Sequence, residues 1–262
     1  MTKTRRDCAL PAYTATPTGP GPWPGAVVVH DLFGMSDDLR SQADRLAAAG
    51  YLTVAPDLFG RSGGKLANIR DAFKQLAAGS GTVFDDIEAA RASLAGSDRC
   101  TGAVGIVGFS LGGAFALLSA ARPGFAAASI NYAQVPDNAD ELLSGCCPVV
   151  ASYGGRDKPL AAMPELLAGA LIEARVGYDL KIYRDSGHGF MNRGSSAFHA
   201  VVKAVTATSA HVGYQEQDAE DAWNRTIEFF DSHLKEAGYA YGQEDGQQSL
   251  LRRLRLAGSP IA

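Results

Sequence analysis

The chain has 262 residues, of which 46% are hydrophobic, and a formal net charge of −4. That is enough length and apolar content for one α/β domain with a real core. The mildly acidic balance, with no long basic run, speaks against a nucleic-acid or anionic-membrane partner, and no stretch approaches the roughly 20 apolar residues that span a bilayer.

In chain order, strand-like and helix-like segments alternate. Lys3-Thr4-Arg5-Arg6 is followed by Asp7-Cys8-Ala9-Leu10-Pro11 and not by an apolar core segment, so it does not read as a signal peptide. Val27–Val29 is a short apolar run that ends in His30-Asp31. Asp38–Gly50 carries Leu39, Ala43, Leu46 and Ala47 at helical spacing and stops on a glycine. Leu52–Ala55 is a second strand, closed by Pro56. Ile69–Ala78 and Val83–Leu94 read as helices. Ala103–Val107, Ala126–Ile130, Val149–Tyr153 and Asp179–Tyr183 read as further strands. Residues 193–222 are long and polar, and read as either a cap over the site or an extended surface loop. The tail from Gly242 ends in a basic, apolar stretch, Leu250–Leu256, that suggests a peripheral helix or a homodimer contact.

Apolar strands that do not alternate are buried on both faces, and strands separated by helices pair in parallel through right-handed crossovers. The prediction is a doubly wound, mostly parallel α/β sheet in a single domain over residues 1–240, with 241–262 as a tail. In such a sheet the site lies at the carboxyl ends of the strands.

The chemistry is written most plainly in Gly108-Phe109-Ser110-Leu111-Gly112-Gly113. It joins the Ala103–Val107 strand to the helix-like run Ala114–Leu118, which is the strand–turn–helix context of a G-x-S-x-G nucleophile elbow. Gly60-Arg61-Ser62-Gly63-Gly64 matches the same pattern without that context, so Ser62 reads as a loop residue. A serine hydroxyl needs a base, and the base needs a carboxylate to orient it. Asp157 and His188 follow the next two strands in the chain order this fold class uses, Ser, Asp, His. Asp185, beside the histidine, is the rival acid. The backbone N–H groups of Leu32 and Leu111 are the expected oxyanion donors. His30 lies beside them, while His199, His211 and His233 read as structural. Cys8, Cys100, Cys146 and Cys147 form neither a disulfide framework nor a metal-binding spacing. Inert thiols in a reducing cytoplasm are the expectation, with no metal site.

His30-Asp31-Leu32-Phe33-Gly34, Ala55-Pro56-Asp57-Leu58-Phe59, the Ser110 elbow, Gly154-Gly155-Arg156-Asp157 and Gly187-His188-Gly189-Phe190-Met191-Asn192-Arg193 together resemble the dienelactone hydrolase family of α/β hydrolases. The resemblance implies a cofactor-free hydrolase of carboxylic esters or lactones, acting on a small molecule through a nucleophile–His–Asp triad. It departs from the namesake enzymes at two positions: Ser110 stands where they use Cys, and Asp31 where they carry Glu. They clasp a substrate carboxylate with arginines; Arg193 matches such a position, with Arg61 and Arg70 as candidates for a second. Phe33, Tyr132 and Phe190 fall at strand ends and are expected to line the pocket together with Asp31 and Arg193. The same triad would also serve a biosynthetic lactonase, cyclase or dehydratase, and a non-catalytic ligand binder is the reading furthest from these.

Overall fold

The structure, a computed structural model, describes residues 10–61, 64–194 and 213–235. Seven strands form one sheet: β1 (Ala12–Ala15), β2 (Trp23–Val29), β3 (Leu52–Pro56), β4 (Cys100–Phe109), β5 (Ala127–Asn131), β6 (Val149–Gly154) and β7 (Tyr178–Tyr183), in the spatial order β1-β3-β2-β4-β5-β6-β7. From β3 to β7 every neighbouring pair is parallel. Each expected strand is present within a few residues of its predicted ends.

β1 was not expected. It pairs antiparallel with β3, Ala12 opposite Pro56 and Ala15 opposite Thr53, and makes the sheet mixed. A four-residue edge strand, Ala-Tyr-Thr-Ala, has neither the length nor the apolar run that marks a buried parallel strand.

Helices cover both faces. α1 (Asp37–Ala48) starts where the Ser36 hydroxyl accepts the Leu39 N–H at 3.2 Å. Its first-turn Asp37 and Asp38 and last-turn Arg45 follow the helix dipole. Leu39, Ala43, Leu46 and Ala47 are buried against the sheet, as their spacing predicts. α2 (Lys65–Ala78) and α3 (Thr82–Ala95) lead into β4, and α4 (Leu111–Ala120) leaves it. α4 is buried along its whole length, which explains a sequence with no polar face. α5 (Ala139–Leu142) and α6 (Met163–Glu173) follow β5 and β6.

The last helix, α7 (Glu216–Phe230), takes in the final residues, 216–222, of the segment read as cap or loop. Residues 195–212 lie outside the described residues. From Glu216 onward the chain is a sheet-covering helix that buries Ala219, Ala222, Trp223, Thr226 and Phe230 at helical spacing. The Phe230 ring presses on β4, where a Cβ on Gly105 would meet it at 2.8 Å. Asp221 ties the helix to β7, accepting from Tyr183 Oη at 2.7 Å and Lys181 Nζ at 2.8 Å.

Alternate residues of β2 feed two cores. Val27 and Val29 pack with α3 and α4, whereas Ala26 and Val28 pack with α1 and α7. β2 continues to β3 on one side, and the chain then crosses to β4 on the other. The carboxyl ends of β2 and β4 therefore flank the point where strand order reverses, the place where such sheets open a crevice.

Candidate active site

Ser110 sits at the end of β4 with φ 53° and ψ −117°. Positive φ is costly for a residue with a Cβ and persists only where the surroundings enforce it. They do so here by close packing. A Cβ on Gly108 would lie 2.2 Å from the Gly112 oxygen, and one on Gly112 would lie 2.3 Å from the carbonyl oxygens of both Val29 and His30. The turn is thereby pressed against the end of β2, which brings Leu111 beside the loop that carries Leu32. Both line the same cavity as Ser110.

The loop after β2 is wired internally. Leu58 N–H donates to His30 Nε2 at 3.1 Å, so the ring proton is on Nδ1, which donates to the Asp31 carbonyl at 2.7 Å. That carbonyl also accepts Gly34 N–H at 3.3 Å, and Asp31 Oδ1 accepts Phe33 N–H at 2.8 Å. These bonds take up the N–H groups of Phe33 and Gly34 and make no use of that of Leu32. His30 thus shapes the pocket from behind, its ring edge-on to Phe59 at 4.5 Å.

The loops after β6 and β7 are fastened to each other. Gly155 N–H donates to the Tyr183 carbonyl at 2.7 Å, and Arg156 N–H donates to that of Ser186 at 2.9 Å. Asp157 and His188 are held by this pairing. His188 Nδ1 lies 2.6 Å from Asp157 Oδ2, and its Nε2 lies 2.9 Å from Ser110 Oγ. The Asp157 side chain is buried. Although Asp157 precedes a short 3₁₀ turn, its side chain makes no cap there. Asp185, the rival, points outward and pairs with Arg156 at 2.5 Å, its side chain 83% exposed.

A cavity of about 600 Å³ opens over Ser110 and His188. Asp31, Phe33 and Tyr132 line it, as predicted. Tyr132 is fully buried, its ring edge-on to His188 at 5.3 Å. Its hydroxyl donates to Asn192 Oδ1, whose amide donates to Asp38 Oδ2 at 2.8 Å. Burial, with added push from the Asp31 and Asp38 carboxylates, raises the Tyr132 phenol well above its ordinary range.

Two expected pocket residues lie elsewhere. Phe190 is 0% exposed and packs between Tyr132 and Tyr183 in the core, behind the pocket wall. An aromatic two residues after the histidine is turned inward by the tight Gly189 turn. Arg193 places its guanidinium over the Tyr214 ring at 4.8 Å and donates to the Tyr214 hydroxyl at 2.9 Å, outside the cavity walls. Arg61 pairs with Asp86 at 2.5 Å, and Arg70 is exposed on α2. Ser62, Cys8, His199 and His211 lie outside the described residues. His233 is structural, its ring stacked on Phe229 at 4.2 Å. Of the remaining thiols, Cys147 is pushed up by its hydrogen bond to Cys146 and by burial, which keeps it in the unreactive form.

The sequence reading missed most of the apolar wall: Phe73 and Leu76 from α2, Leu118 from α4, then Val135 and Leu160. The α2 pair follows helical spacing within a predicted helix, but nothing local says that this face looks into a cavity.

A family model described as the dienelactone hydrolase family matches residues 10–234. The chain belongs to the dienelactone hydrolase family. Among its relatives, a "Putative carboxymethylenebutenolidase" of Methylorubrum extorquens is 28% identical over 86% of this chain and 77% of that protein. A protein of the same name from Escherichia coli K12 is 31% identical over 84% and 82%. The solved structure of a "Putative Dienelactone Hydrolase" from Klebsiella pneumoniae is similar with a TM-score of 0.67 and 27% identity, covering 84% of this chain and 92% of that one. Within this dienelactone hydrolase family frame, the mixed seven-stranded sheet with flanking helices is the α/β-hydrolase fold.

Proposed function

We propose that this dienelactone hydrolase family member cleaves a carboxylic ester or lactone of a small molecule through an acyl-enzyme on Ser110. The observation that carries the reading is the unbroken chain of bonds from Ser110 through His188 to Asp157 at a strained elbow. The names of the relatives, which denote a lactone hydrolase, support the same bond type.

The Ser110 oxygen attacks the carbonyl carbon while its proton passes to His188 Nε2. Asp157 keeps the imidazole in the Nδ1–H tautomer and stabilises the imidazolium. The carbonyl oxygen takes the negative charge and is held by the N–H groups of Leu32 and Leu111, a donor pair of which each member is worth roughly 3–4 kcal/mol. The carbon–oxygen bond to the alcohol breaks, and His188 returns its proton to the departing oxygen. Water then gives a proton to His188 and attacks the acyl carbon; the bond to Ser110 Oγ breaks as His188 passes that proton to it, releasing the acid and restoring Ser110.

The test is labelling with a fluorophosphonate read by mass spectrometry, beside turnover of a short-chain 4-nitrophenyl ester. Stoichiometric modification of Ser110 and loss of turnover in Ser110→Ala are expected. Full esterase activity in Ser110→Ala overturns the mechanism.

A further inference from the structure

The cavity extends well past the reacting centre. Leu111, Ala114 and Leu118 line it from α4. Their spacing of three and four residues puts them on one face of the helix that begins directly after Ser110. At a rise of about 1.5 Å per residue, Leu118 stands about 10 Å beyond Leu111, the reach of an extended alkyl chain of about eight carbons. A second wall is Phe73, Leu76 and Ala77, from the last turns of α2. All six side chains are apolar. The two helices are tied at the far end: Arg122, just past α4, donates to the carbonyl of Gly79, the C-cap of α2, at 2.7 Å. Phe73 is 52% exposed although it lines the cavity, so an apolar face is left for a ligand to cover.

We infer that this slot between α2 and α4 holds the acyl chain of the substrate, and that the chain is linear, apolar and about eight carbons long. The inference rests on the ester-hydrolase reading above and names its substrate class, esters of medium-chain fatty acids. His188 must reach the departing oxygen, so the alcohol lies on the side of Ser110 walled by Pro159, Leu160 and Gly189, the neighbours of Asp157 and His188. The slot along α4 is lined by other residues and is left to the acyl group. Each methylene moved from water into such a slot is worth about fourfold in binding. That gain enters kcat/KM, since the chain is held alike in the ground and transition states.

The test is kcat/KM on the 4-nitrophenyl esters of acetate, butanoate, hexanoate, octanoate and decanoate, each below its aggregation limit. Octanoate is expected to exceed acetate by at least about 30-fold, well short of full burial of the added methylenes because the slot is open at Phe73. Decanoate should gain nothing further. Ala114→Leu closes the slot about 6 Å from Ser110. It should bring the optimum back to butanoate and lower the octanoate-to-acetate ratio at least about tenfold. Phe73→Ser, at an exposed position, should lower the same ratio severalfold, and carries the test if Ala114→Leu does not fold. A flat or falling series in the wild type, a continued rise at decanoate, or a ratio unchanged in folded Ala114→Leu or, failing that, in Phe73→Ser overturns the inference. Calorimetry with octanamide and acetamide on Ser110→Ala reads the slot without chemistry. Absent ester turnover with octanamide bound at least about 30-fold more tightly than acetamide is failure of the hydrolase reading alone. A flat ester series, or absent turnover with the two amides bound alike, is failure of this inference.

Discussion

The α-carbon of Gly112 lies against the carbonyl oxygen of Val29, so close that a Cβ would stand 2.3 Å from it. This contact joins the first turn of α4 to the end of β2 and so sets the spacing between Leu111 and Leu32. Gly112→Ala must push the two apart. Overpacking of this kind costs about 1–3 kcal/mol. The proposed oxyanion donors would be displaced with it, and misplacement on the scale of 1 Å can cost about 10²-fold in rate. The expected result is a folded variant with lowered Tm and kcat reduced by about two orders of magnitude, at nearly constant KM. Unchanged kcat in a folded Gly112→Ala would remove Leu32 and Leu111 from the oxyanion role.

Two aspartates compete for the role of triad acid in the sequence, and the geometry separates them. Asp157 is buried with His188 Nδ1 at 2.6 Å; Asp185 pairs with Arg156 at the surface. Asp157→Asn offers an amide where the imidazole needs an acceptor, and favours the wrong tautomer. The same change in a serine-protease triad costs about 10⁴ in kcat, and a loss of about 10³–10⁴ is expected here. Asp185→Asn should leave kcat within about twofold, since exposed ion pairs contribute little. Steady-state kinetics of the two variants on one chromogenic ester decide the matter; comparable losses in both would contradict the assignment.

The elements that carry the site were legible because each repeats a local rule. Ser110 and Asp157 each follow an apolar strand, and His188 follows the mostly exposed edge strand β7. Of the elbow glycines, Gly108 is required by a contact within the elbow, whereas Gly112 is required by the distant end of β2. α7 escaped because Glu216, Gln217, Asp218, Glu220 and Asp221 give its first turns a polar composition. The helical spacing of Ala219, Ala222, Trp223, Thr226 and Phe230 was present all the same. Composition outweighed period. Phe190 and Arg193 were misplaced for a different reason: side-chain direction after a turn depends on backbone angles that residue types do not encode, here φ 70° at Gly189. The cavity wall from α2 depends on how a whole helix is laid over the sheet, which is a tertiary fact.

Phe230 tests whether α7 is integral to the fold. It is 0% exposed, packs edge-on to Tyr51 at 5.9 Å and covers β4 at Gly105. Phe230→Ala leaves a cavity that little can collapse into, and large-to-small changes of this size cost about 3–5 kcal/mol. Denaturant unfolding should show a midpoint lowered so that its product with an unchanged slope falls by about that much. Phe230 lies outside the cavity walls, so the folded fraction should keep its kcat. A shift below about 1 kcal/mol would mean that α7 is only loosely docked.

Asp221 gives the same docking a pH signature. Its hydrogen bonds from Lys181 and then from Tyr183 hold its carboxyl below the ordinary value of 3.8. A carboxylate with a lowered folded pKa stabilises the native state above its unfolded pKa, and that contribution is lost as pH falls through the folded value. The contribution is therefore present in full above the ordinary carboxylate range and is lost as pH falls below it. The side chain is 45% exposed, so screening limits the pair to less than about 1 kcal/mol. For a chain of this size that corresponds to a Tm shift of about 2–4 °C or less. Asp221→Asn should melt slightly below wild type at pH 7, and the gap should narrow as pH drops from 5 towards 3. A gap that widens on acidification would have the wrong sign for a carboxylate stabilised by Lys181 and Tyr183, and would place the effect of the substitution in packing and not in charge.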